Sequence, residues 1–463
     1  MNGRNSNSLA SSSFRKHVEK DREKMPRLAI VEPVVCAGGV ERFVHGMLQG
    51  AVEEGLLEQW QIVMIRNRYN TAGIHVPLPE RLRVPGITVE YIEKKGAVAR
   101  TLERLCGFRR MLGLGIMLRN IAQRIRSTGP LWWRAYSGED RGIVENYLRS
   151  HRFDLVYYPY PDFIRPPKIG LAIVATLHDL TFKNVPSSNA KHQRDFDSRI
   201  REWLKVCTVV PVPSQFVADD LKKFYPSDGE KGRVIRHGIP SAGRMPTVEE
   251  VEEVRVRKSL PDRFVLIAGW LMEHKNHHVV FEAIGKLRQR GVHMPLVCVG
   301  PDSERLKRDG APTRGATYLA KIRSVCKAAG LQCDIDYIPL GYVSDLEMAC
   351  LFRSATMLVV PSITEAFSLP ASEAMSASCP VIFSRVPPFE EFMRLVENNA
   401  WTFPVSDSHA LADVIAQVVG EPEEARRRAQ EAMRIAPQVF SWRRSAREHF
   451  DIFGKVAGLN GVR

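Results

Sequence analysis

Two glutamates separated by seven residues, Glu365 and Glu373, stand in the run Pro361-Ser-Ile-Thr-Glu365-Ala-Phe-Ser-Leu-Pro370-Ala-Ser-Glu373-Ala-Met375. An apolar run rich in Val and Leu precedes them, and a helical pattern begins at Leu369. A strand–loop–helix of this kind presents unpaired backbone N–H groups and the positive end of a helix dipole, the chemistry that receives phosphate oxygens. Carboxylates beside such an anion site read best as acceptors for sugar hydroxyls. The plain alternative is a solvent-facing Glu365 and a helical Glu373 paired with a lysine.

Three further groups sit at the ends of apolar runs. Lys275, in Trp270-Leu-Met-Glu-His-Lys275-Asn276, precedes a helical pattern and supplies a point charge suited to a diphosphate. Gly38-Gly39, after the first run, lets backbone approach a phosphate or sugar closely, and it equally describes any tight turn into a helix. His178-Asp179 follows Ala172–Leu177 and places an imidazole where α/β sheets bind ligands, although a packed histidine is the simpler reading of that residue alone.

The elements that must hold these groups follow from the periodicity. Candidate strands are Leu28–Val35, Gln61–Ile65, Ile87–Ile92, Leu155–Tyr158, Ala172–Leu177 and Thr208–Val212. A helical face runs through Val40, Phe43, Val44, Met47, Leu48 and Ala51. A second series of strands comprises Phe264–Ala268, Leu296–Val299, Ile335–Leu340, Met357–Val360 and Val381–Phe383. Helices are predicted between them over His277–Arg290, Thr317–Ala329, Asp345–Arg353 and Leu369–Ala377, and Ser344-Asp-Leu-Glu347 reads as a capping box. Strands alternating with helices predict parallel sheets covered on both faces. The expected organisation is a basic tail (1–25), a first Rossmann-like domain (26–240), a linker (241–262) poor in core pattern, a second Rossmann-like domain (263–436), and a last helix with its tail (437–463).

Charge narrows the partners. The 463 residues carry 66 Lys+Arg against 52 Asp+Glu, a net +14 that argues for an anionic partner. The excess is uneven. Residues 94–134 hold ten bases and one acid interleaved with Leu, Ile, Met and Phe and ending in Leu131-Trp132-Trp133, and the residues before Met25 add six bases and three acids. About +2 is left for the rest of the chain. A basic, amphipathic, Trp-flanked segment predicts a helix lying in an anionic membrane interface. The alternative is a helical insertion packed on the domain with solvated arginines. No apolar run approaches the ~18 residues of a membrane span, and the start of the chain has no apolar core of a secretory signal. It reads as a disordered tail or as sequence upstream of a start at Met25. The eight cysteines (36, 106, 207, 298, 326, 333, 350, 379) contain no Cys-x-x-Cys pair and read as buried reduced thiols.

In order and setting these elements resemble the group 1 (family 4) retaining glycosyltransferases, enzymes of the GT-B fold, and among them bacterial mannosyltransferases. The resemblance rests on Gly38-Gly39-Val40-Glu41, Leu177-His178-Asp179-Leu180, Val212-Pro-Ser214 with Phe216, and Val234-Ile-Arg-His237-Gly238-Ile239. In the second half it rests on Gly269 to Asn276, Val299-Gly300-Pro301, Gly341-Tyr342-Val343-Ser344, Glu365 through Met375, and Phe440-Ser-Trp442. It implies that Glu373 holds the nucleotide ribose and Glu365 the hydroxyls of the donor hexose. Lys275 and the N–H groups near Phe367, Ser368 and Leu369 would stabilise the departing diphosphate. Gly38 and Gly39 would lie beside it across the cleft, and His178 would meet the sugar near the reacting carbon. The leaving phosphate would take the acceptor proton as attack occurs on the same face, with no metal required. Trp270 stands where the family commonly has Arg, Glu365-Ala-Phe-Ser replaces Glu-Gly-Phe-Gly, and His237 replaces a frequent Asn.

The resulting expectation is a hexosyltransferase that uses a nucleotide sugar, GDP-mannose first and a UDP-hexose second. The acceptor would be a lipid-linked or surface-glycan precursor saccharide, as in polysaccharide or lipopolysaccharide biosynthesis. The enzyme would be cytoplasmic and peripheral to the inner face of the cytoplasmic membrane. A same-fold nucleotide-sugar epimerase or phosphorylase and a non-catalytic anionic-surface-binding protein are the alternatives. Nucleic acid is not an expected partner, because the basic residues cluster in one Leu/Trp-rich segment without a recognisable nucleic-acid module.

Overall fold

The computed structural model describes residues 25–32, 39–67, 82–92, 139–161, 164–185, 190–239, 245–307 and 316–459. Gly38, the segment 94–134 expected to lie in a membrane interface, Cys36, Cys106 and the tail before Met25 lie outside the described residues.

The first domain runs β1 (Arg27–Glu32), α1 (Gly39–Glu53), β2 (Gln61–Asn67), β3 (Ile87–Ile92), α2 (Glu139–Ser150), β4 (Leu155–Tyr158), β5 (Ala172–Ala175), α3 (Ala190–Val206), β6 (Val210–Val212), α4 (Gln215–Phe224) and β7 (Gly232–Val234). Its sheet is parallel throughout, in the order β3-β2-β1-β4-β5, and β6 and β7 form a separate parallel pair. The N–H of Leu177, just past β5, donates to Pro211 O and brings that pair to the sheet's edge. All four residues of β4 are buried, which is why it reads as an unbroken apolar run.

The second domain comprises α5 (Val248–Arg257), β8 (Val265–Ala268), α6 (His278–Gln289), β9 (Leu296–Val299), α7 (Ala316–Ala328), β10 (Tyr337–Gly341), α8 (Asp345–Ser354), β11 (Met357–Val360), α9 (Leu369–Ser376), β12 (Val381–Arg385), α10 (Pro387–Leu395), β13 (Trp401–Pro404), α11 (Ser408–Gly420) and α12 (Pro422–Val439). The order β10-β9-β8-β11-β12-β13 is again all parallel. The capping box at Ser344 and Glu347 is formed. Within the stretch expected to be a linker, residues 248–257 form a helix with its own capping box, Thr247 and Glu250, packed on α8.

The last helix, α13 (Trp442–Val456), crosses back and packs along α1. Its seat is cut by small residues. A Cβ at Gly46 would lie 2.1 Å from the Trp442 ring, and one at Gly50 would lie 2.3 Å from Trp442 O. Arg443 and Arg447 donate to Glu54 at the end of α1, at 2.6 and 2.5 Å. The cysteines described are free thiols, and burial pushes Cys207, Cys326 and Cys379 up to about 12, so they are protonated at neutral pH.

Candidate functional site

In a doubly wound sheet the ligand crevice opens where the strand order reverses, outside the carboxyl ends of the two strands that flank the reversal. In the second domain those strands are β8 and β11. The loop after β8 carries Lys275, and the loop after β11 carries Glu365. The two side chains meet as an ion pair, and Ser362 Oγ donates to Glu365 Oε2 at 3.3 Å. Asn276 fixes the relative position of the loops. It adopts a left-handed conformation with φ 57°, and its amide donates to Pro361 O at 3.0 Å. The N–H of Ile363 donates to His274 O, a second tie between them.

Helix α9 opens behind Glu365. Ser368 is its N-cap, and its hydroxyl accepts from Ala371 N. Pro370 has no N–H, and the backbone ladder begins with Ser372 N donating to Ser368 O. The amides of Phe367, Ser368 and Leu369 therefore stand ahead of the ladder, where an anion is received. The two residues that depart from the family's Glu-Gly-Phe-Gly do not fill this space. Ser368 is buried and turned to its cap, and Ala366 packs against the first domain's core. The Phe367 ring is likewise committed to packing, between Phe392, Phe440 and His237, so only its backbone faces the crevice chemistry.

Gly39 opens α1 on the opposite wall, and a Cβ placed on it would lie 3.8 Å from Leu369 Cδ1. The N-termini of α1 and α9 thus converge across the cleft. His178 lies past β5, with its ring 4.9 Å from that of Phe43 and 5.4 Å from that of His237. His178 Nε2 donates to Pro159 O at 2.7 Å, which leaves Nδ1 as the ring's acceptor. Burial lowers its pKa, so the imidazole is neutral at pH 7. Trp270 is half exposed and donates from Nε1 to Asp302 at 2.7 Å.

Glu373 has a partner that the motif reading does not contain. Arg42, in the first turn of α1, donates through Nη1 to both carboxylate oxygens of Glu373 at 2.8 and 3.0 Å. Its Nη2 reaches Asp345 Oδ1 at 2.9 Å. Burial pushes the Glu373 carboxyl above its ordinary value, and the guanidinium opposes the shift. One signal was available: a cation in a helix's first turn runs against the dipole and so asks for an anion from elsewhere. Glu391 is a second cross-domain carboxylate. It accepts from the N–H groups of Gln215 and Phe216 at the start of α4, both at 3.0 Å, and from Arg236.

Two Rossmann-like domains facing across a cleft, with the last helix returning to the first, define the GT-B class of fold. The crystal structure of Anabaena HepE in complex with UDP and glucose shares it, with a TM-score of 0.66, 15% identity, and coverage of 93% of this chain and 100% of that one. One family model, Glycosyltransferase Family 4, matches residues 37–242, and a second, Glycosyl transferases group 1, matches residues 249–435. The chain belongs to the group 1 (family 4) glycosyltransferases. An MMP alpha-(1->4)-mannosyltransferase of Mycolicibacterium hassiacum is 27% identical over 301 residues, 62% of this chain and 66% of the relative. A GDP-mannose:cellobiosyl-diphosphopolyprenol alpha-mannosyltransferase of Komagataeibacter xylinus is 24% identical over 265 residues, 56% of this chain and 62% of the relative. This chain spans between 50% and 66% of the length of the curated relatives it matches.

Proposed function

We propose that the protein is a retaining hexosyltransferase that moves a sugar, mannose first, from a nucleotide sugar to a lipid-linked or surface-glycan precursor saccharide. The observation that carries this reading is at the carboxyl ends of β8 and β11, where Lys275 pairs with Glu365 just ahead of the first amides of α9. Glu365 accepts from the hexose hydroxyls, and Glu373 from the ribose. As the bond between the sugar's anomeric carbon and the diphosphate breaks, charge grows on the leaving phosphate. Lys275 and the α9 N-terminus are fixed in position to meet that charge without reorganising, the arrangement that lowers such barriers. The acceptor oxygen bonds to the same face of the anomeric carbon, and its proton passes to the leaving phosphate. His178, neutral at pH 7, offers Nδ1 to a sugar hydroxyl, and Gly39 leaves room beside the diphosphate. This chemistry asks for no metal. The mannosyltransferases among the relatives support mannose, and the Komagataeibacter xylinus relative, which acts on a cellobiosyl-diphosphopolyprenol, supports a lipid-linked acceptor.

Among the described residues no helix is long and apolar enough to cross a membrane. Attachment to an anionic cytoplasmic membrane surface is assigned to residues 94–134 by their charge and apolar pattern. The test presents purified protein with GDP-mannose, UDP-glucose, UDP-galactose and UDP-N-acetylglucosamine, and with polyprenyl-diphosphate-linked saccharides in vesicles containing anionic lipid. Sugar transfer from GDP-mannose, lost on deleting 96–133 but kept toward detergent-dispersed acceptor, is the expected result. No transfer from any donor overturns the activity, and equal vesicle activity in the deletion variant overturns the membrane assignment.

A further inference from the structure

Arg42 is delivered to the donor side of the cleft by the other domain. It lies in the first turn of α1, where the helix dipole disfavours a cation, and its compensation comes from the second domain. Nη1 spans both oxygens of Glu373, and Nη2 is tethered to Asp345 at the start of α8. The Arg42 side chain is 29% exposed and that of Glu373 only 12%. A guanidinium bound at two points holds a carboxylate in one orientation, which a lysine's single point charge does not do. Arg42 and Asp345 are the charged groups set against Glu373, and Tyr342 adds a weaker electrostatic influence on Arg42. Burial and Asp345 both push the Glu373 carboxyl toward its protonated form, and Arg42 is the group opposing them. A protonated carboxyl has one acceptor oxygen fewer and must itself donate, so it is a poor partner for a ribose diol.

We propose that Arg42 is a positioning residue for the nucleotide: coming from the opposite domain, it holds the Glu373 carboxylate in place and aimed at the ribose. This rests on the assignment of Glu373 to the ribose.

The experiment measures the affinity of GDP, UDP, ADP and dTDP by titration calorimetry between pH 5.5 and 8.5. It compares the wild-type protein with Arg42→Gln, Arg42→Lys, Asp345→Asn and Glu373→Gln. In the wild-type protein the affinity for the preferred nucleotide is flat above neutrality and declines only toward the acid end of this range, because the Glu373 carboxyl is raised even with Arg42 beside it. In Arg42→Gln the decline begins at higher pH, falls about tenfold per pH unit below the further raised Glu373 pKa, and recovers toward pH 8.5. Arg42→Lys, which restores the charge but not the fork, recovers part of the loss. Asp345→Asn loosens the tether and leaves the pair, so it costs about two- to threefold and keeps the proposal testable if Arg42→Gln folds poorly. Nucleotide affinity unmoved in Glu373→Gln, or no nucleotide bound by the wild-type protein, removes the ribose assignment and the proposal with it. Affinity lost in Glu373→Gln but unmoved, or lost equally at every pH, in Arg42→Gln overturns the role of Arg42 alone.

Discussion

Lys275 and Glu365 neutralise one another in the open crevice, with side chains 27% and 15% exposed. An ion pair that keeps this much contact with water contributes little to stability, on the order of 1 kcal/mol or less. On the proposed function, its value is to hold Lys275 and Glu365 beside the space where a diphosphate and a hexose would meet. Replacing Lys275 by Ala should therefore lower kcat/KM by about 10²- to 10³-fold, the usual cost of removing one preorganised charge from a leaving-group site. The urea midpoint should scarcely move. Glu365→Gln should lower kcat/KM as well, and the double variant should lose less than the two single losses combined, because each residue orients the other. Additive losses, or an unfolding midpoint that tracks the activity, would show that the pair serves the fold rather than the reaction.

At the scale of elements, the strands that line the switch points were readable because parallel strands buried on both faces appear as continuous apolar runs. Leu155–Tyr158, Leu296–Val299 and Met357–Val360 are found with the bounds that their apolar runs predict, and the edge strand Ile87–Ile92, which alternates with exposed Thr88 and Glu90, is found with its predicted bounds as well. Helix α5 was not legible in the same way. Six of its ten residues are charged, and its one buried side chain is Val254, so it has almost no apolar stripe to detect. Nor could one sequence join Arg42 to Glu373 or Glu391 to Gln215, since these partners lie 331 and 176 residues apart. The seat of the crossing helix shows the same limit, because Gly46 and Gly50 are unremarkable in a helical pattern until α13 is laid against them. Gly50 faces backbone, and neither Trp442 O nor Arg443 N can rotate out of the way of a Cβ. Gly50→Ala should cost about 1–3 kcal/mol by overpacking despite alanine's better helix propensity. Gly55→Ala, where a Cβ meets nothing but φ is 68°, serves as a control for strain without collision. A Gly50→Ala protein as stable as wild type in urea would mean that α13 does not pack as described.

The whole molecule is held together along a seam of buried histidines. His237, on the segment that leaves the first domain, packs against Phe43 of α1, Phe367 of the loop before α9 and Trp442 of α13, with ring centroids 4.7, 5.1 and 6.0 Å away. His449 of α13 lies 5.7 Å from Phe43 and 6.0 Å from Tyr157, and His277 lies beneath the Lys275 loop. Nε2 of His237 and of His449 and Nδ1 of His277 are buried without a hydrogen-bond partner. Burial lowers all three, with His449 near about 4, His277 near about 3 and His237 well below its ordinary value, and His178 shifts the same way. A histidine whose folded pKa is depressed gives stability that is complete above the unfolded pKa of about 6.5 and is lost as pH falls toward the folded value. At pH 5 His449 and His277 should each have given up about 2 kcal/mol. Three carboxyls act in the opposite sense. Burial raises Glu32 to about 7, so it favours the folded chain as pH falls through 7 toward 4.5, and burial raises Asp220 and Glu373 in the same direction. Burial lowers His274 and His278 as well, and six lowered histidines against three raised carboxyls leave a net loss, part of which falls on His178, His237 and His449 where α1 and α13 meet. The urea midpoint should therefore drop between pH 7.5 and pH 5, and His449→Gln should flatten that drop by removing one of the groups that must take up a proton on unfolding. A midpoint that held steady or rose over the same interval would show that the carboxyls govern the acid response and that the histidine seam stays solvated enough to titrate normally.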